Sequence, residues 1–301
     1  MEGERAGWRT GLYSRGAVTC HRLRAMIASN SWRRPLSAGF GGLFLGLALC
    51  LAAPPASAGE FELAPHRAAY ALSLGRSDSG SGVEGARGAM IIEWDASCEG
   101  WTVQQRIALD LALANGGDVR SKTAYTSWES LDGREYRFRV NSKRDGEDTE
   151  TFAGEAALDG DGAGEARYSD PEGRVMALPA GTLFPTAHTI ELLEQAEAGD
   201  PLLFAVVFDG ATEEGAARVN AVIGRPAEPG AADAAELIAG VRGWRMRLAF
   251  FDFIGEASEP HYEVGVVLLE NGVARSLEMD YGEFVINATL ERVEPVGKPA
   301  C

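Results

Sequence analysis

Cysteine and histidine are the side chains of this sequence best suited to bind a metal or attack a substrate, and the chain has four of each. After Cys98, the next cysteine is the last residue, Cys301. A structural zinc ion takes about four ligands, but His66, His188 and His261 are scattered widely along the chain. A reactive thiol needs a nearby histidine or a helix N-terminus. We therefore predict neither a metal site nor a catalytic cysteine.

The role of the cysteines depends on the cellular compartment, and residues 1–58 resemble a secretory signal peptide. A pair of arginines precedes an apolar run from about residue 36 to 53, and Ala56-Ser57-Ala58 supplies the small residues that a signal peptidase accepts. Cleavage there would release a soluble periplasmic protein that begins at Gly59. Met26 would begin a signal peptide of ordinary length, so we suspect that translation starts at this residue.

Three alternatives to a cleaved signal peptide fit the residues less well. A transmembrane anchor would need about 20 apolar residues, and this run is shorter and rich in glycine. A lipidated Cys50 would need a small residue at the position of Leu49. Pro35 and Leu36 fit the twin-arginine motif poorly after Arg33-Arg34.

Removal of residues 1–58 would leave two of the four cysteines. Cys20 and Cys50 lie in the removed segment, so Cys98 and Cys301 remain as a pair. An even pair of cysteines in an oxidising compartment predicts a disulfide. We therefore predict a structural Cys98–Cys301 bridge.

The charge of the chain limits its partners. The net charge is −16, and residues 1–58 contribute seven arginines against two glutamates, so the mature chain would carry −21. Nucleic acids and anionic lipid surfaces would be repelled by so acidic a protein. The remaining 240 or so residues can form one domain with one large core, which we place at residues 59–301.

Strand patterns dominate this predicted domain. Apolar and polar residues alternate with period 2 in "YRFRV" and "RSLEMDY", and the Asp-Gly and Asn-Gly turns at residues 132–133 and 271–272 favour hairpins. The predicted strands are His66–Leu74, Ala89–Asp95, Trp101–Leu111, Val119–Leu131, Tyr136–Ser142, Thr149–Leu158, Leu202–Asp209, Arg218–Ile223, Arg242–Phe253, Tyr262–Glu270, Ala274–Tyr281 and Phe284–Arg292. Without a βαβ rhythm, these strands predict a long antiparallel meander and not a parallel sheet.

One helix is predicted after Pro185, with Thr186 as its N-cap and Gly199 as its stop. Helical spacing of Ala187, Ile190, Leu193 and Ala196 or Glu197 predicts a narrow apolar stripe that lies on the sheet. We expect His188 to be a surface histidine or one whose hydrogen bonds are satisfied. We interpret residues 225–240 as an insertion rich in Ala, Pro and Gly that contains at most one short helix.

Two motifs match the residue pattern of a functional site but lack the secondary structure that the site requires. Gly80-Ser81-Gly82-Val83-Glu84-Gly85 satisfies the dinucleotide pattern, but a strand follows where a helix N-terminus must bind the pyrophosphate. Asp159, Asp161, Gly164 and Asp170 have the spacing of a calcium loop, but no helices flank them. We interpret both segments as hairpin turns and predict no cofactor. A G-x-S-x-G elbow is absent from the sequence.

The segments "LLFAVVF" and "VGVVLL" are apolar on both strand faces, which a sheet with one solvated face would not require. Either the helix and loops cover the second face, or a barrel-like sheet encloses an interior that could hold an acyl chain. Trp94, Trp101, Trp128 and Trp244 could stack on sugars, although aromatic side chains on strands usually lie in the core.

Several segments together resemble the EipB-like cell envelope integrity family of alphaproteobacteria. They are "LAPHRAAYALSL" (63–74), "SWESLDGREYRF" (127–138), "LPAGTLFPTAHT" (178–189), "VNAVIG" (219–224), "LLENGVARSLEMDYGEF" (268–284) and the Cys98/Cys301 pair. The resemblance implies a mainly β protein whose antiparallel strands coil into a β-spiral or open barrel around a helix, closed by one disulfide. It also implies a fold similar to lipoprotein-carrier domains of the envelope.

The function expected from this resemblance is maintenance of the envelope under stress, without a catalytic activity. Partners would be other periplasmic or envelope proteins, or lipid-linked envelope components. A carrier of lipid or lipoprotein acyl chains is the alternative, and an unrecognised enzyme is a third. An apolar cavity inside the barrel would favour the carrier, whereas a cleft with converging polar groups would favour the enzyme.

Overall fold

The alternating segments of the sequence form strands with one buried and one exposed face. In the "YRFRV" segment, Tyr136, Phe138 and Val140 are buried, whereas Arg137 and Arg139 between them are exposed. The computed structural model describes residues 61–212, 215–231, 235–255 and 258–301. The predicted signal peptide and the predicted start at Gly59 lie outside the described residues.

The described residues contain fifteen strands and one α-helix. The elements are β1 (His66–Ser77), β2 (Val83–Ala96), β3 (Gly100–Leu113), β4 (Asp118–Ser130), β5 (Glu135–Arg144), β6 (Glu147–Leu158), β7 (Gly164–Asp170), β8 (Glu172–Leu178), β9 (Thr182–Leu183), α1 (Pro185–Ala198), β10 (Leu202–Val207), β11 (Ala217–Pro226), β12 (Gly243–Asp252), β13 (Tyr262–Leu269), β14 (Ala274–Asp280) and β15 (Phe284–Pro295).

All fifteen strands belong to one sheet, in the order β8 to β1 followed by β15 to β9. Consecutive strands pair as antiparallel hairpins, and β1 pairs antiparallel with β15. The two outermost strands, β8 and β9, are neighbours in sequence, so the sheet curls into a nearly closed barrel. The predicted fold, an antiparallel meander coiled into an open barrel with one helix, is confirmed.

Twelve of the strands were predicted, and three were not. Strands β7 and β8 are only seven residues each and carry Gly, Pro and charged residues at their junction, which hides the alternation. The two-residue β9 pairs parallel with β10 through Val206 and Val207. This parallel pair lies at one edge of the predicted antiparallel meander, where the loop before the helix returns to the sheet.

The helix packs into the concave face of the sheet at one end of the barrel. Leu192, Leu193 and Ala196 are buried in a core cluster with side chains of β10 to β13, and Trp94 and Trp101 pack against this cluster. Gly199 ends the helix in the left-handed conformation, as predicted. The predicted N-cap is wrong, because the helix begins at Pro185 and Phe184 precedes it.

The buried face of the helix is wider than the predicted stripe. Thr186, His188 and Leu192 are buried in addition to Leu193 and Ala196. Ile190 is partly buried, whereas Glu197 is exposed and its carboxylate pairs with Arg242. A broad buried face is expected for a helix that enters a curved sheet and contacts it on more than one side.

The two strands with apolar residues on both faces have different surroundings. On β13, Val267, Leu268 and Leu269 are all buried, and Leu237 and Ile238 of the insertion belong to one of the clusters that cover them. On β10, the outer face remains open, since Leu202 is 50% and Phe204 is 69% exposed. Loops therefore cover the second face of one strand only.

Cys98 lies in the turn between β2 and β3, and Cys301 ends the chain after β15. Their sulfur atoms are joined, with the Cα atoms 5.6 Å apart and a sequence separation of 203. The bridge therefore connects the last residue to a turn that lies at the same end of the barrel as the helix.

Substitution of Leu193 by Asp tests the helix packing. Leu193 is completely buried, so the new carboxylate would lack both water and a partner, and we expect a loss of at least about 3 kcal/mol in the free energy of unfolding. Glu194→Asp, at an exposed position of the same helix, should change it by less than about 0.5 kcal/mol. Urea denaturation of both variants measures the difference, and equal stabilities would contradict the packing.

Cysteine substitutions test the bridge. A loop of 203 residues gives a disulfide stabilisation of about 5 kcal/mol as an upper bound. Cys98→Ser and Cys301→Ser should each lower the melting temperature and expose the tail to proteases. The double variant should be no less stable than either single one, because all three lack the same bond. Additive losses, or two free thiols in protein purified without reductant, would show that the cysteines act separately.

Candidate functional site

The barrel contains a cavity beside the β12–β13 hairpin. Strand β10 ends at Val207, which pairs with Ala217 of β11. Ala217 in turn pairs with Asp252 of β12, and Phe250 pairs with Tyr262 of β13. These paired residues line a cavity of about 650 Å³, and Val207, Ala217 and Phe250 also belong to or pack against the core cluster that contains the helix.

The cavity walls are mainly apolar. The lining residues are Val207, Asp209, Thr212, Gly215, Ala216, Ala217, Phe250, Asp252, His261, Tyr262 and Tyr281. The rings of Phe250 and Tyr262 lie 5.7 Å apart, and those of Tyr262 and Tyr281 5.2 Å apart, so aromatic rings form one continuous wall. Burial raises the pKa of both tyrosines, which keeps their phenols neutral.

A buried carboxyl group lies beside the cavity. Burial raises the pKa of Asp209, and its Oδ1 atom accepts the Ala211 amide at 2.8 Å. The main-chain oxygen of Asp209 accepts hydrogen bonds from Tyr125 at 3.2 Å and Tyr136 at 3.3 Å. The two tyrosine hydroxyls also bond to each other. This network satisfies the polar groups and binds the segment after β10 to β4 and β5.

The rim of the cavity carries one carboxylate–imidazole pair. Nδ1 of His261 lies 3.4 Å from Oδ1 of Asp252, and both side chains are half exposed. Arg218 lies next to this pair and donates to the main-chain oxygen of Asp252 at 3.2 Å. This contact gives the rim a polar edge. The arrangement suits binding of an apolar ligand with its polar end near Asp252.

The residues singled out as metal or nucleotide motifs lie apart from the cavity. Gly80 to Gly85 span the turn from β1 into β2, and Asp159 and Asp161 lie in the turn between β6 and β7. Both segments are therefore hairpin turns, as predicted. Within the described residues, no group of three or more His, Cys, Asp and Glu side chains could hold a metal ion.

One of the four tryptophans considered for sugar stacking lies in the core, since Trp244 is 5% exposed. Trp94 and Trp101 are partly buried and pack against the cluster that contains the helix. The fourth, Trp128, is stacked by Arg137, whose guanidinium carbon is 4.7 Å from the ring centroid. None of the four lines the cavity beside the β12–β13 hairpin.

We predicted that His188 is exposed or has all its hydrogen bonds satisfied, and the structure shows neither. The side chain is 6% exposed, and no partner for its Nε2 atom is found among the described residues. Burial lowers the pKa of His188 to about 4, so the ring is neutral at pH 7. His66 is also buried, and its Nδ1 atom lies 2.7 Å from the Ala64 oxygen.

Glu129 is the buried residue at the helix end that the sequence patterns did not identify. The helix lacks a side-chain cap of its own, and Glu129 of β4 replaces it. Its Oε2 accepts the Thr186 amide at 2.7 Å, and its Oε1 accepts the Ala187 amide at 2.8 Å. Burial raises the pKa of Glu129 to about 7, although these bonds favour the charged form. A glutamate 57 residues away could not be recognised as a cap from local sequence.

The titrations of Glu129 and His188 should affect stability with opposite signs. The pKa of Glu129 is raised on folding, so the native state binds more protons between about pH 4.5 and 7, and stability falls as pH rises through this window. The pKa of His188 is lowered, so stability rises with pH between about 4 and 6.5. The two dependences should largely cancel in the wild-type protein.

Glu129→Gln should therefore reveal the contribution of His188. From pH 5 to pH 7, we expect the free energy of unfolding of Glu129→Gln to rise by about 2 kcal/mol relative to the wild type. His188→Phe should show the opposite change. Urea denaturation at both pH values measures these slopes, and variants with the wild-type slope would contradict the assignment.

The comparisons with known proteins agree with this architecture. Residues 57–297 match the model of the EipB-like family. The chain is 32% identical over 247 residues to the cell envelope integrity protein EipB of Brucella abortus (strain 2308), which covers 79% of this chain and 86% of that protein. A solved beta-barrel-like protein of a domain of unknown function from Brucella abortus is similar with a TM-score of 0.72 and 29% identity, over 79% of this chain and all of that one.

Proposed function

Because the chain belongs to the EipB-like family, we propose that it maintains cell envelope integrity under envelope stress as a soluble periplasmic protein without catalytic activity. The observation that carries this proposal is the 32% identity to a cell envelope integrity protein over most of both chains. The signal-like segment at residues 1–58 and the Cys98–Cys301 bridge support an oxidising compartment. Within the described residues, no helix is long and apolar enough to cross a membrane.

Complementation tests this proposal together with the location. A strain without the gene should become sensitive to detergents and cell-wall antibiotics, and full-length protein from a plasmid should restore growth. A version that lacks residues 1–58 should fail to do so, because it would remain in the cytoplasm. Full-length protein recovered from the periplasm should have the intact mass of a chain that begins at Gly59.

Three outcomes would contradict the proposal. A deletion strain with normal resistance would exclude the integrity role. Rescue by the version without residues 1–58 would exclude a periplasmic site of action. A lipid adduct on Cys50 in the intact mass would show an anchored protein.

Carriage of lipid or lipoprotein acyl chains is the second candidate function, and the mainly apolar cavity beside the β12–β13 hairpin favours it. Other envelope proteins or lipid-linked envelope components would then be partners. Lipid extraction and mass spectrometry of protein purified from its own periplasm should recover an acyl-containing molecule. If no more acyl-containing molecule is recovered per protein than from a periplasmic control protein, this function would be contradicted.

A further inference from the structure

The cavity has the size and walls of a site for one flexible apolar chain. Its volume of about 650 Å³ falls within the range of about 300–1,000 Å³ that is typical of ligand sites. The small side chains of Ala216 and Ala217 leave room between the aromatic wall and β10. Water in so apolar a space gains few hydrogen bonds, and a hydrocarbon chain would replace it favourably.

The apolar surface continues from the cavity to the outside of the protein. Phe253 and Ile254 directly follow Asp252 at the rim, and they are 37% and 86% exposed. Tyr281, which lines the cavity, is 45% exposed. Large apolar side chains exposed side by side often mark a binding surface. A ligand longer than the cavity would therefore find apolar contacts at its entrance.

Two carboxyl groups belong to the described lining of the cavity. They are Asp252 at the rim and Asp209, whose pKa is raised by burial, and this lining contains no arginine or lysine. Arg247 and the carboxylates around it, Glu263, Glu278 and Asp280, lie on the other face of the sheet, because Arg247 and Glu263 alternate with the lining residues Phe250 and Tyr262. Three carboxylates thus share this guanidinium, and Arg76 also contacts Asp280.

The carboxylate of Asp252 discriminates among amphiphiles by their head groups. The guanidinium of Arg218 bonds to main-chain oxygens of Asp252 and Gly255 and lies over the ring of Phe251, on the face of β12 opposite to the cavity lining. A phosphate or carboxylate head at the entrance would meet Asp252 within a chain of net charge −16. Such like-charge contacts weaken binding strongly, whereas a hydroxyl or amide head can accept or donate hydrogen bonds to the same groups.

We infer that the cavity binds a single acyl chain whose head group carries no negative charge, and that Asp252 excludes anionic lipids of the same chain length. This inference rests on acyl-chain carriage, the second proposed function. The chain enters between Val207 and the Phe250–Tyr262 wall, and the head group remains at the rim beside Asp252 and His261. The protein is thereby selective for one class of envelope amphiphile.

Equilibrium binding of two radiolabelled lipids to the mature protein, below their critical micelle concentrations, tests the inference. The lipids are 1-monopalmitoylglycerol and palmitoyl-lysophosphatidylglycerol, which share one chain and differ in head-group charge. We expect the neutral lipid to bind at least about tenfold more tightly. Asp252→Lys should reduce this preference, whereas Glu155→Lys, the same charge change at an exposed position of β6, should leave it unchanged.

A variant that fills the cavity, compared with a matched control variant elsewhere, tests the location of the site. Ala217→Phe should weaken binding of the neutral lipid at least about tenfold, because the new ring occupies the space of the chain. Ala124→Phe places the same side chain at an exposed position of β4 and should not change binding. Circular dichroism and melting of each variant confirm folding, and Asp252→Lys provides the readout if Ala217→Phe is unfolded.

The outcomes separate the inference from the function on which it rests. Equal affinity for both lipids, or a preference that Asp252→Lys leaves intact, would overturn the head-group selectivity while acyl-chain carriage stands. Wild-type affinity in folded Ala217→Phe would overturn the location. Binding of neither lipid by the wild-type protein would overturn both this inference and acyl-chain carriage.

Discussion

Pairing of β1 with β15 is the contact on which the barrel depends. The other antiparallel contacts join strands that follow each other in sequence, so they need only local turns. The short parallel contact of β9 with β10 spans the helix. The β1–β15 ladder places His66 opposite Pro295, and its formation must overcome the closure entropy of a loop that spans almost the whole domain. This ladder converts a linear meander into a curved sheet with an inside. The Cys98–Cys301 bridge also links the two ends of the sheet sequence, because it joins the β2–β3 turn to the chain that follows β15.

A closed interior must then be filled, and the chain fills its parts differently. The helix inserts Leu192 and Leu193 among the strands, and Glu129 binds the amides at its N-terminus. The carboxylate is retained in a buried place because two helix amides would otherwise lack acceptors. Beside the β12–β13 hairpin, small residues such as Ala217 and the aromatic wall leave a cavity. The interior is therefore packed around the helix and partly open near this hairpin.

This asymmetry is relevant to the proposed role in the envelope. Under that proposal, the protein would need a surface or a cavity that recognises an envelope component. The cavity lined by Phe250 and Tyr262 and the exposed Phe253 and Ile254, which follow Asp252 of its rim, would provide both. The region around the helix, in contrast, has the covalent and hydrogen-bonded contacts that keep the fold together.

Period-2 alternation and turn residues predicted twelve of the fifteen described strands and their hairpin order. Helical spacing and Gly199 predicted the helix, and the cysteine count after removal of the signal-like segment predicted the Cys98–Cys301 pair. Each of these is a local or countable property of the chain. Resemblance to the EipB-like family added the barrel. Only the tertiary structure decided that Glu129 caps the helix, that His188 is buried and that Asp209 lies beside a cavity. Each of these environments is formed by residues far apart in sequence that the β1–β15 closure brings together. Burial and cavities are properties of the closed sheet, and local sequence does not contain them.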